Sequence, residues 1–240
     1  MIQAAPLDYT RQESRFSDRV ALLLARSECK LVTSGERRKP IFRLREAACT
    51  PVRSLSRRPF PSDRYDYAGN SYLLGLYIDA ELASSIRLHV ASTRQDQLPS
   101  LDAFDDVLRS KLDAGQVIID CTRFVADEQL SRVWRELPYA TIRMCMLAAE
   151  HFGADHLIIA ASPPHEKFYR RAFNFKAISE PQLRGDLALP ARLMSLNYPT
   201  EAEGLYRRYP FFRSTAAERR NLFAFDERSA VRSQSTYALM

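Results

Sequence analysis

The chain has 240 residues, of which 46% are hydrophobic and 27% are charged. This size allows one good-sized core with a peripheral extension and is short for two independent catalytic domains. The composition argues against a disordered chain, which would lack the apolar area to fold. The formal net charge of +6 comes largely from scattered arginine pairs, so it fits either a solvated surface or a patch for an acidic partner, protein or nucleic acid.

Strand and helix patterns alternate along the first half of the chain. Short apolar runs predict strands, and apolar residues three or four positions apart predict helices. In order, we expect a strand at Cys29–Val32, a helix at Pro40–Ala48 with Pro40 in its first turn, a basic loop at Thr50–Asp63, an antiparallel hairpin of Ser71–Asp79 and Leu82–Ala91, a short helix at Asp102–Leu112 and a strand at Val117–Val125.

The second half continues the alternation and ends in a basic segment. We expect a helix at Pro138–Phe152 ended by Gly153, a buried strand at His156–Ala161, a helix opening at Ser162 and Pro163, and a closing strand at Arg192–Leu196. This order predicts an α/β protein with a mixed sheet. The predicted division is an N-terminal extension at residues 1–24, a central domain at 25–199, and a C-terminal helical arm and tail at 200–240.

The start of the chain and its cysteines bear on the cellular compartment. Met1 to Pro6 carries no basic stretch followed by a long apolar run, and no window approaches the roughly 20 apolar residues that span a bilayer. We therefore expect a cytoplasmic protein without a transmembrane segment. The four cysteines, at positions 29, 49, 121 and 145, are isolated, which favours reduced thiols over a metal knuckle or a disulfide framework.

Several familiar chemistries lack their motifs. The sequence has no glycine-rich phosphate loop, no nucleophile elbow and no cluster of histidine, cysteine and carboxylate residues at metal-ligand spacing. Its four histidines, His89, His151, His156 and His165, are scattered, which is more typical of structural or surface residues than of a catalytic group.

Four short motifs stand in a fixed order along the chain: DRYD at 63–66, SIRLH at 85–89, Phe104, and IIDCTRFV at 118–125. Along a strand, Asp120 and Thr122 share one face, while Arg123 points to the other face unless a bulge intervenes. Buried carboxylates and guanidinium groups need partners. These residues alone fit a structural ion-pair network as well as a catalytic site.

The motif series resembles that of the acyl-homoserine-lactone autoinducer synthases, whose usual form is DxFD, IRL and ExSRF. The wider segments RYDYAGNSYLLGLYIDAELASSIRLHVAS, IIDCTRFVAD and HEKFYRRAFNFKAI are more similar to the long-chain N-acyl amino acid synthases, a related bacterial family. This resemblance covers roughly residues 28–199. FYRRAFNF also resembles the tyrosine-bearing helix of GNAT domains, with Asn174 in place of the usual glycine. A GNAT-like fold implies a mixed, mostly antiparallel central sheet flanked by helices.

The resemblance implies an enzyme that moves a long-chain acyl group from acyl carrier protein to the α-amine of an amino acid. It needs no metal or permanently bound cofactor, because the carrier protein brings the acyl-phosphopantetheine. The usual pyrophosphate-binding glycine-rich turn is replaced after Val125 by ADEQLSRVWREL, which suits a carrier-protein donor. The residues carried over to the site are Asp63, Asp66, Arg87, Phe104, Asp120 and Arg123, with Arg45 matching an arginine on the first helix.

Roles follow from the reaction. The amine must lose a proton and the thioester carbonyl needs a hydrogen-bond donor. We expect Asp120 to act as base, Arg87 or Arg123 to bind the acceptor carboxylate, and the backbone near Val125–Asp127 to donate to the carbonyl. An apolar slot for the acyl tail would be lined by Phe104, Met144, Leu147 and Phe168.

The basic residues suggest a docking surface for the acidic carrier protein. The expected docking residues form two groups, Arg170 and Arg171, then Arg207, Arg208, Arg219 and Arg220.

Three other interpretations compete with this one. They are a GNAT-fold enzyme that uses acyl-CoA, an acyl-homoserine-lactone-type synthase, and a basic nucleic-acid-binding module, for which the sequence has no recognition motif.

Overall fold

A computed structural model describes residues 9–33, 35–49, 61–183 and 190–223. Over these residues the chain forms a seven-stranded sheet in the order β1-β2-β3-β4-β5-β7-β6. The pair β4 and β5 is parallel, and the other neighbouring strands are antiparallel. The predicted mixed, mostly antiparallel sheet flanked by helices is confirmed.

The predicted strands and helices are found close to their expected ranges. Two helices, Tyr9–Ala25 and Glu128–Val133, and one short strand, Lys176–Ala177, were not predicted. The strands are β1 Ser27–Leu31, β2 Ser71–Ile78, β3 Glu81–Ala91, β4 Ile118–Ala126, β5 His156–Ala161, β6 Lys176–Ala177 and β7 Arg192–Asn197. The helices are α1 Tyr9–Ala25, α2 Gly35–Cys49, α3 Leu101–Asp113, α4 Glu128–Val133, α5 Leu137–Phe152, α6 Pro163–Phe173, α7 Tyr198–Arg208 and α8 at residues 216–223, with 3₁₀ turns at Arg64–Tyr67 and Pro210–Phe212.

The start of α2 differs from the prediction. The helix begins at Gly35, so Pro40 lies inside it and not in its first turn. A proline there removes one backbone donor, but Pro40 is exposed, and the carbonyl left without that donor can bind water.

Successive side chains of each strand alternate between two covered faces of the sheet. On the first, which we call the α5 face, Leu74, Ile86 and Ile119 pack into a large core with residues of α1, α5, α6 and α7. On the second, which we call the α2 face, α2 contacts β3 and β4, while α3 packs over Ile118 and Ile158. The polar residues of the sequence motifs lie on this second face.

Strands β4 and β5 separate part-way along their length. Their ladder joins Ile118–Asp120 to His156–Ile158 and ends there, although β4 continues to Ala126 and β5 to Ala161. The pairing of β3 with β4 is also irregular, because two residues of β4, at 123 and 124, lie opposite one residue of β3. The gap between β4 and β5, which we call the strand split, leaves the later part of β4 without a strand neighbour on that side.

The segments on either side of the central domain contribute to its core. Leu23 of α1 and Leu205 of α7 are buried in the large cluster, together with Phe212 and Phe223. The predicted boundary at residue 199 falls inside α7. Within the described residues, no helix is both long and apolar enough to cross a bilayer.

Candidate active site

The DRYD motif folds as a capped 3₁₀ turn that holds two carboxylates in place. The Asp63 carboxylate accepts a hydrogen bond from the Tyr65 N–H at 2.9 Å, and the Asp66 carboxylate accepts one from the Asp63 N–H at 2.9 Å. This reciprocal arrangement is a capping box, which requires polar acceptors three residues apart. The Tyr65 hydroxyl donates to Asp102 at 2.7 Å and so links the turn to α3.

The carboxylate of Asp66 balances part of the positive charge of two buried arginines beneath this turn. Its carboxylate accepts hydrogen bonds from Nη1 of Arg45 at 2.9 and 3.0 Å, and lies 3.1 Å from Nη1 of Arg87. Arg45, Asp66 and Arg87 are almost completely buried. Since an unpaired charge in this position would be strongly destabilising, the three side chains hold one another in the interior.

Asp63 links Arg87, which is buried, to Arg123, which lies nearer the surface. It accepts hydrogen bonds from Arg87 at 2.5 Å and from Nη2 of Arg123 at 2.7 Å, while Nε of Arg87 donates to Thr122 at 3.1 Å. Burial raises the pKa of Asp63, but the hydrogen bonds and charges of Arg87 and Arg123 outweigh it and lower the pKa to about 2. Asp63 is therefore ionised at neutral pH.

A bulge decides the orientation of Arg123. Its φ of 54° lies in the left-handed region, and the register between β3 and β4 shifts at this point. The extra residue turns the side chain toward the face that carries Thr122, where it reaches Asp63. Regular alternation of side chains along the strand would have placed Arg123 on the opposite face. The bulge reverses this orientation.

The cluster has guanidinium donors without acceptors. Nε and Nη2 of Arg45 and Nε of Arg123 are buried, and none has a hydrogen-bond partner among the described residues. The cluster of Arg45, Arg87, Arg123, Asp63 and Asp66 also holds one more positive than negative charge. Buried donors are normally paired, so these atoms indicate a place for an anionic acceptor.

Asp120 occupies a different part of the same face. It is fully buried, and its two oxygens accept hydrogen bonds from the N–H of Ser100 at 2.8 Å and from the Ser100 hydroxyl at 2.9 Å. These bonds fasten the N-terminus of α3 to β4. Ser100 was not predicted, because only the tertiary fold brings it to Asp120. The role of Asp120 as base stays a prediction.

His89 is placed as a structural residue. Its ring is buried beside Tyr65, and its Nε2 lies 3.0 Å from the Tyr65 carbonyl oxygen, to which an Nε2–H donates. Burial, together with the charge of Arg87, lowers the pKa of His89 to about 3. The imidazole is therefore neutral at physiological pH.

The four residues expected to line one acyl slot do not lie together. Phe104, at a kink in α3, packs on the α2 face with Ile118 and Ile158, whereas Met144 and Leu147 of α5 lie in the core on the opposite face. The sheet therefore separates Phe104 from Met144 and Leu147. The sequence could not predict this separation, because a periodic apolar pattern does not specify which face of a sheet a helix covers. Leu147 lines a cavity of about 680 Å³ beside β1. Phe168 lines a smaller one between α5 and α6.

The arginines expected to bind the carrier protein differ in exposure. The side chain of Arg219 is mostly buried; it bonds to Ser214 and pairs with Glu150 at 3.1 Å, so it serves the fold. Arg171 and Arg208, from the two predicted groups, meet at the smaller cavity. The five docking candidates other than Arg219 are all exposed, namely Arg170, Arg171, Arg207, Arg208 and Arg220.

The hydrogen bonds of the sheet narrow the choice of backbone N–H donor expected near Val125–Asp127. The Asp127 N–H donates to the Ala83 carbonyl at 2.8 Å and is not available to a substrate. Successive N–H groups of a strand point to opposite sides. The Ala126 N–H is therefore directed away from β3, toward the strand split.

Comparison with known proteins places the chain in a family. The family model of the N-acyl amino acid synthase FeeM matches residues 40–197. The chain belongs to the FeeM family of N-acyl amino acid synthases. It is an acyltransferase, and its reaction is N-acyl transfer. No curated protein sequence matches it.

Solved structures confirm the GNAT-like fold of this family member. FeeM, an N-acyl amino acid synthase from uncultured soil microbes, is similar with a TM-score of 0.63 and 18% identity over 74% of this chain and 94% of that chain. An acyl-CoA N-acyltransferase from Pseudomonas aeruginosa gives 0.50 and 20% over 70% and 97%. The CoA-dependent acyl-homoserine lactone synthase BjaI, with SAM and isopentyl-CoA, gives 0.52 and 16% over 77% and 90%.

Proposed function

We propose that the protein transfers a long-chain fatty acyl group from acyl carrier protein to the α-amine of an amino acid, giving an N-acyl amino acid. The observation that carries the proposal is the set of unused guanidinium donors on Arg45 and Arg123, which are buried on the α2 face of the sheet. An amino acid differs from a simple amine by its carboxylate, and these donors match that group.

Arg45 offers the better geometry for a carboxylate. Its Nη1 is committed to Asp66 and to the Pro61 carbonyl, which leaves the edge formed by Nε and Nη2. That edge presents two parallel N–H groups, the arrangement that binds a carboxylate at two points. Arg87 is less suited than predicted, since its Nε and Nη1 already serve Thr122, Asp63 and Asp66.

The charges of the cluster favour an amino acid as a whole. Its excess positive charge attracts the carboxylate, and Asp63, whose side chain is 24% exposed, can face the α-ammonium next to it. The pKa of about 2 makes Asp63 a poor base, so its role is to hold the ammonium and the arginines. Proton removal remains assigned to Asp120, directly or through one water.

The strand split supports the attack on the thioester. The free amine adds to the carbonyl carbon, and negative charge develops on the carbonyl oxygen, where the Ala126 N–H would donate. Collapse of the intermediate forms the amide bond and breaks the C–S bond, and the thiolate leaves and takes up a proton. The site then holds the N-acyl amino acid and the thiol of the phosphopantetheine.

A carrier-protein donor fits the charges on α4, α6 and α7. The segment that replaces the glycine-rich turn folds as α4, and the Asp127 carboxylate caps it by accepting from the Leu130 N–H at 2.9 Å. A carboxylate at this position repels a pyrophosphate. By contrast, the exposed arginines of α6 and α7 would attract an acidic protein.

The test compares donors and acceptors of matched size. Purified protein is incubated with one acyl group on carrier protein or on CoA, and with amino acids or the corresponding amines that lack the carboxylate. We expect amino acids and carrier-bound acyl groups to be preferred, measured by mass spectrometry of the amide. Preference for amines would contradict the acceptor assignment, and preference for acyl-CoA would contradict the donor assignment.

Arg45→Lys and Arg123→Lys test the carboxylate site. Each retains a charge and loses the planar fork, so the KM for the amino acid should rise about tenfold or more, with little change for the amine. Arg123 is included because it is less buried than Arg45 and its replacement disturbs the interior less. Arg94→Lys, at an exposed ion pair, is the matched control. An unchanged KM in both variants would remove the arginines from acceptor binding.

A further inference from the structure

The two edges of the sheet differ in length. At one edge, β6 consists of only Lys176 and Ala177, whereas β1 at the other edge has five residues, Ser27–Leu31. Within the described residues, no strand pairs with the outer side of β1. A long unpaired edge presents backbone donors and acceptors to another chain, so natural proteins usually block or cover it. The outer side of β1 is therefore a candidate surface for strand pairing.

Every second residue of β1 turns its backbone groups outward. One residue beyond the strand, the Val32 N–H donates to the Leu73 carbonyl at 2.8 Å, so the even-numbered residues of this register bond to β2. Successive residues of a strand bond to opposite sides. The N–H and C=O groups that point away from β2 are consequently those of Ser27, Cys29 and Leu31.

The structure leaves room and charge beside this edge. A cavity of about 680 Å³ borders β1, and its lining includes Ser27, Glu28 and Cys29. The side chains of Glu28 and Lys30 are 68% and 47% exposed, and they form an ion pair with each other at 2.8 Å. Both charges of the edge are therefore accessible to a partner.

The sequence of β1 is complementary to itself in one antiparallel register. If two copies pair about Cys29, Glu28 of each copy stands opposite Lys30 of the other, and Ser27 stands opposite Leu31. All the outward residues then face outward residues, so each of their N–H groups meets a carbonyl of the second copy. Opposite charges that stand directly across an antiparallel pair attract each other.

The same two charges disfavour the neighbouring registers. A shift that keeps the outward residues opposite one another must move the strands by two residues. One such shift places Glu28 opposite Glu28 of the second copy, and the shift in the other direction places Lys30 opposite Lys30. Like charges in these positions repel. The charge pattern thus specifies pairing about Cys29 and works against unspecific edge-to-edge aggregation.

We infer that the protein self-associates through β1, so that the seven-stranded sheets of two copies continue across a two-fold axis at Cys29. The partner is a second copy of this chain, because the edge itself supplies both members of each interchain ion pair. Such an interface is isologous, since the same residues serve both copies. Five paired residues bury less surface than a permanent dimer needs, so the association should be weak and should depend on protein concentration.

Charge reversal on β1 tests this register. Sedimentation velocity of the reduced full chain across a concentration series should show a monomer–dimer equilibrium. Glu28→Lys and Lys30→Glu each turn both interchain pairs into like-charge pairs, so the dissociation constant should rise about tenfold or more. An equimolar mixture of the two variants should associate as well as wild type, because the mixed dimer again places opposite charges across both contacts. Lys176→Glu, on the short edge strand β6, makes the same change of charge and is the control.

Hydrogen exchange locates the contact on the chain. The backbone N–H groups of Ser27–Leu31 should exchange more slowly at high protein concentration than at low concentration, and Glu28→Lys should reduce this difference. A chain that stays monomeric across the series would overturn the inference, even if β1 captures a peptide of another protein. A dimer that neither charge reversal weakens, or a variant mixture that fails to restore association, would also overturn it. These measurements need no substrate, so their outcome is independent of the proposed function.

Discussion

The protein contains two groups of basic residues in opposite environments. Arg45 and Arg87 lie beneath the DRYD turn and share the buried carboxylate of Asp66, whereas Lys167, Arg171 and Arg208 surround an open cavity whose lining has no carboxylate. Burial makes an unpaired charge costly, so the inner group must carry its own counter-ions. Solvent removes that requirement for the outer group, whose charge stays available to a partner. The first group can position a small substrate, and the second can receive a larger anionic one.

The largest expected effect tests whether Asp120 acts in catalysis or only anchors α3. If Asp120 is the base, Asp120→Asn should lower kcat by about two to four orders of magnitude. Ser100→Ala removes one hydrogen bond to the carboxylate but keeps the carboxylate itself. It should therefore preserve most of the activity.

Steady-state kinetics and thermal unfolding of both variants decide between the two roles. Asp120 acts only as an anchor for α3 if Asp120→Asn and Ser100→Ala lose similar stability and similar activity. A selective loss of kcat in Asp120→Asn, with both proteins folded, supports the base.

The next effect concerns the counter-ion of the inner group. Asp66→Asn leaves Arg45 and Arg87 with less compensation, so the free energy of unfolding should fall by about 3–5 kcal/mol. Asp113→Asn, at the exposed pair with Arg94, should change the free energy of unfolding much less, because solvent screens that pair. Urea unfolding measures both. Equal losses in the two variants would mean that burial does not distinguish these ion pairs.

Acid should weaken the link between Asp63 and its arginines. The pKa of Asp63 falls from 3.8 to about 2 on folding. A lowered pKa stabilises the folded state above the unfolded value, and this contribution is lost as the pH falls from about 4 to 2. Asp63→Asn should therefore be less stable than wild type near neutral pH, and the gap should narrow across that window. A gap that stays constant down to pH 2 would show that Asp63 is not held by the arginines.

The smallest effect concerns the exposed surface around the outer group. Arg170→Glu combined with Arg207→Glu reverses two exposed charges that do not line the cavity. Use of carrier-bound acyl groups should fall about three- to tenfold at low salt, and added salt should bring the wild type toward the same rate. Small phosphopantetheine donors should be unaffected. Kinetics with carrier protein that ignore both charge and salt would argue against electrostatic docking.

Much of the fold was predictable because its signals are local. The helix that ends at Gly153 follows from a glycine in the left-handed conformation, and the hairpin of β2 and β3 follows from two apolar runs separated by a short turn. The motif residues Asp63, Asp66, Arg87 and Arg123 were also predicted, and the structure joins them with Arg45 in one network of ion pairs. Their placement agrees with a site, while their individual roles stay predictions.

Other parts of the site could not be predicted from a pattern. The slot that joined Phe104 to Met144 fails because the sheet stands between α3 and α5. Ser100 reaches Asp120 across 20 residues of sequence, and no repeat or spacing marks that contact. Arg219, expected on the docking surface, is instead held by Glu150.

The sequence by itself determined the order of strands and helices, the family motifs and the excess of basic charge, because each depends on neighbouring residues or on composition. The tertiary structure alone decided which way Arg123 points, since the bulge that turns it depends on the register between β3 and β4. It also decided that Arg171 and Arg208, 37 residues apart, share one cavity. Both outcomes come from long-range packing, which fixes distances that no local pattern encodes.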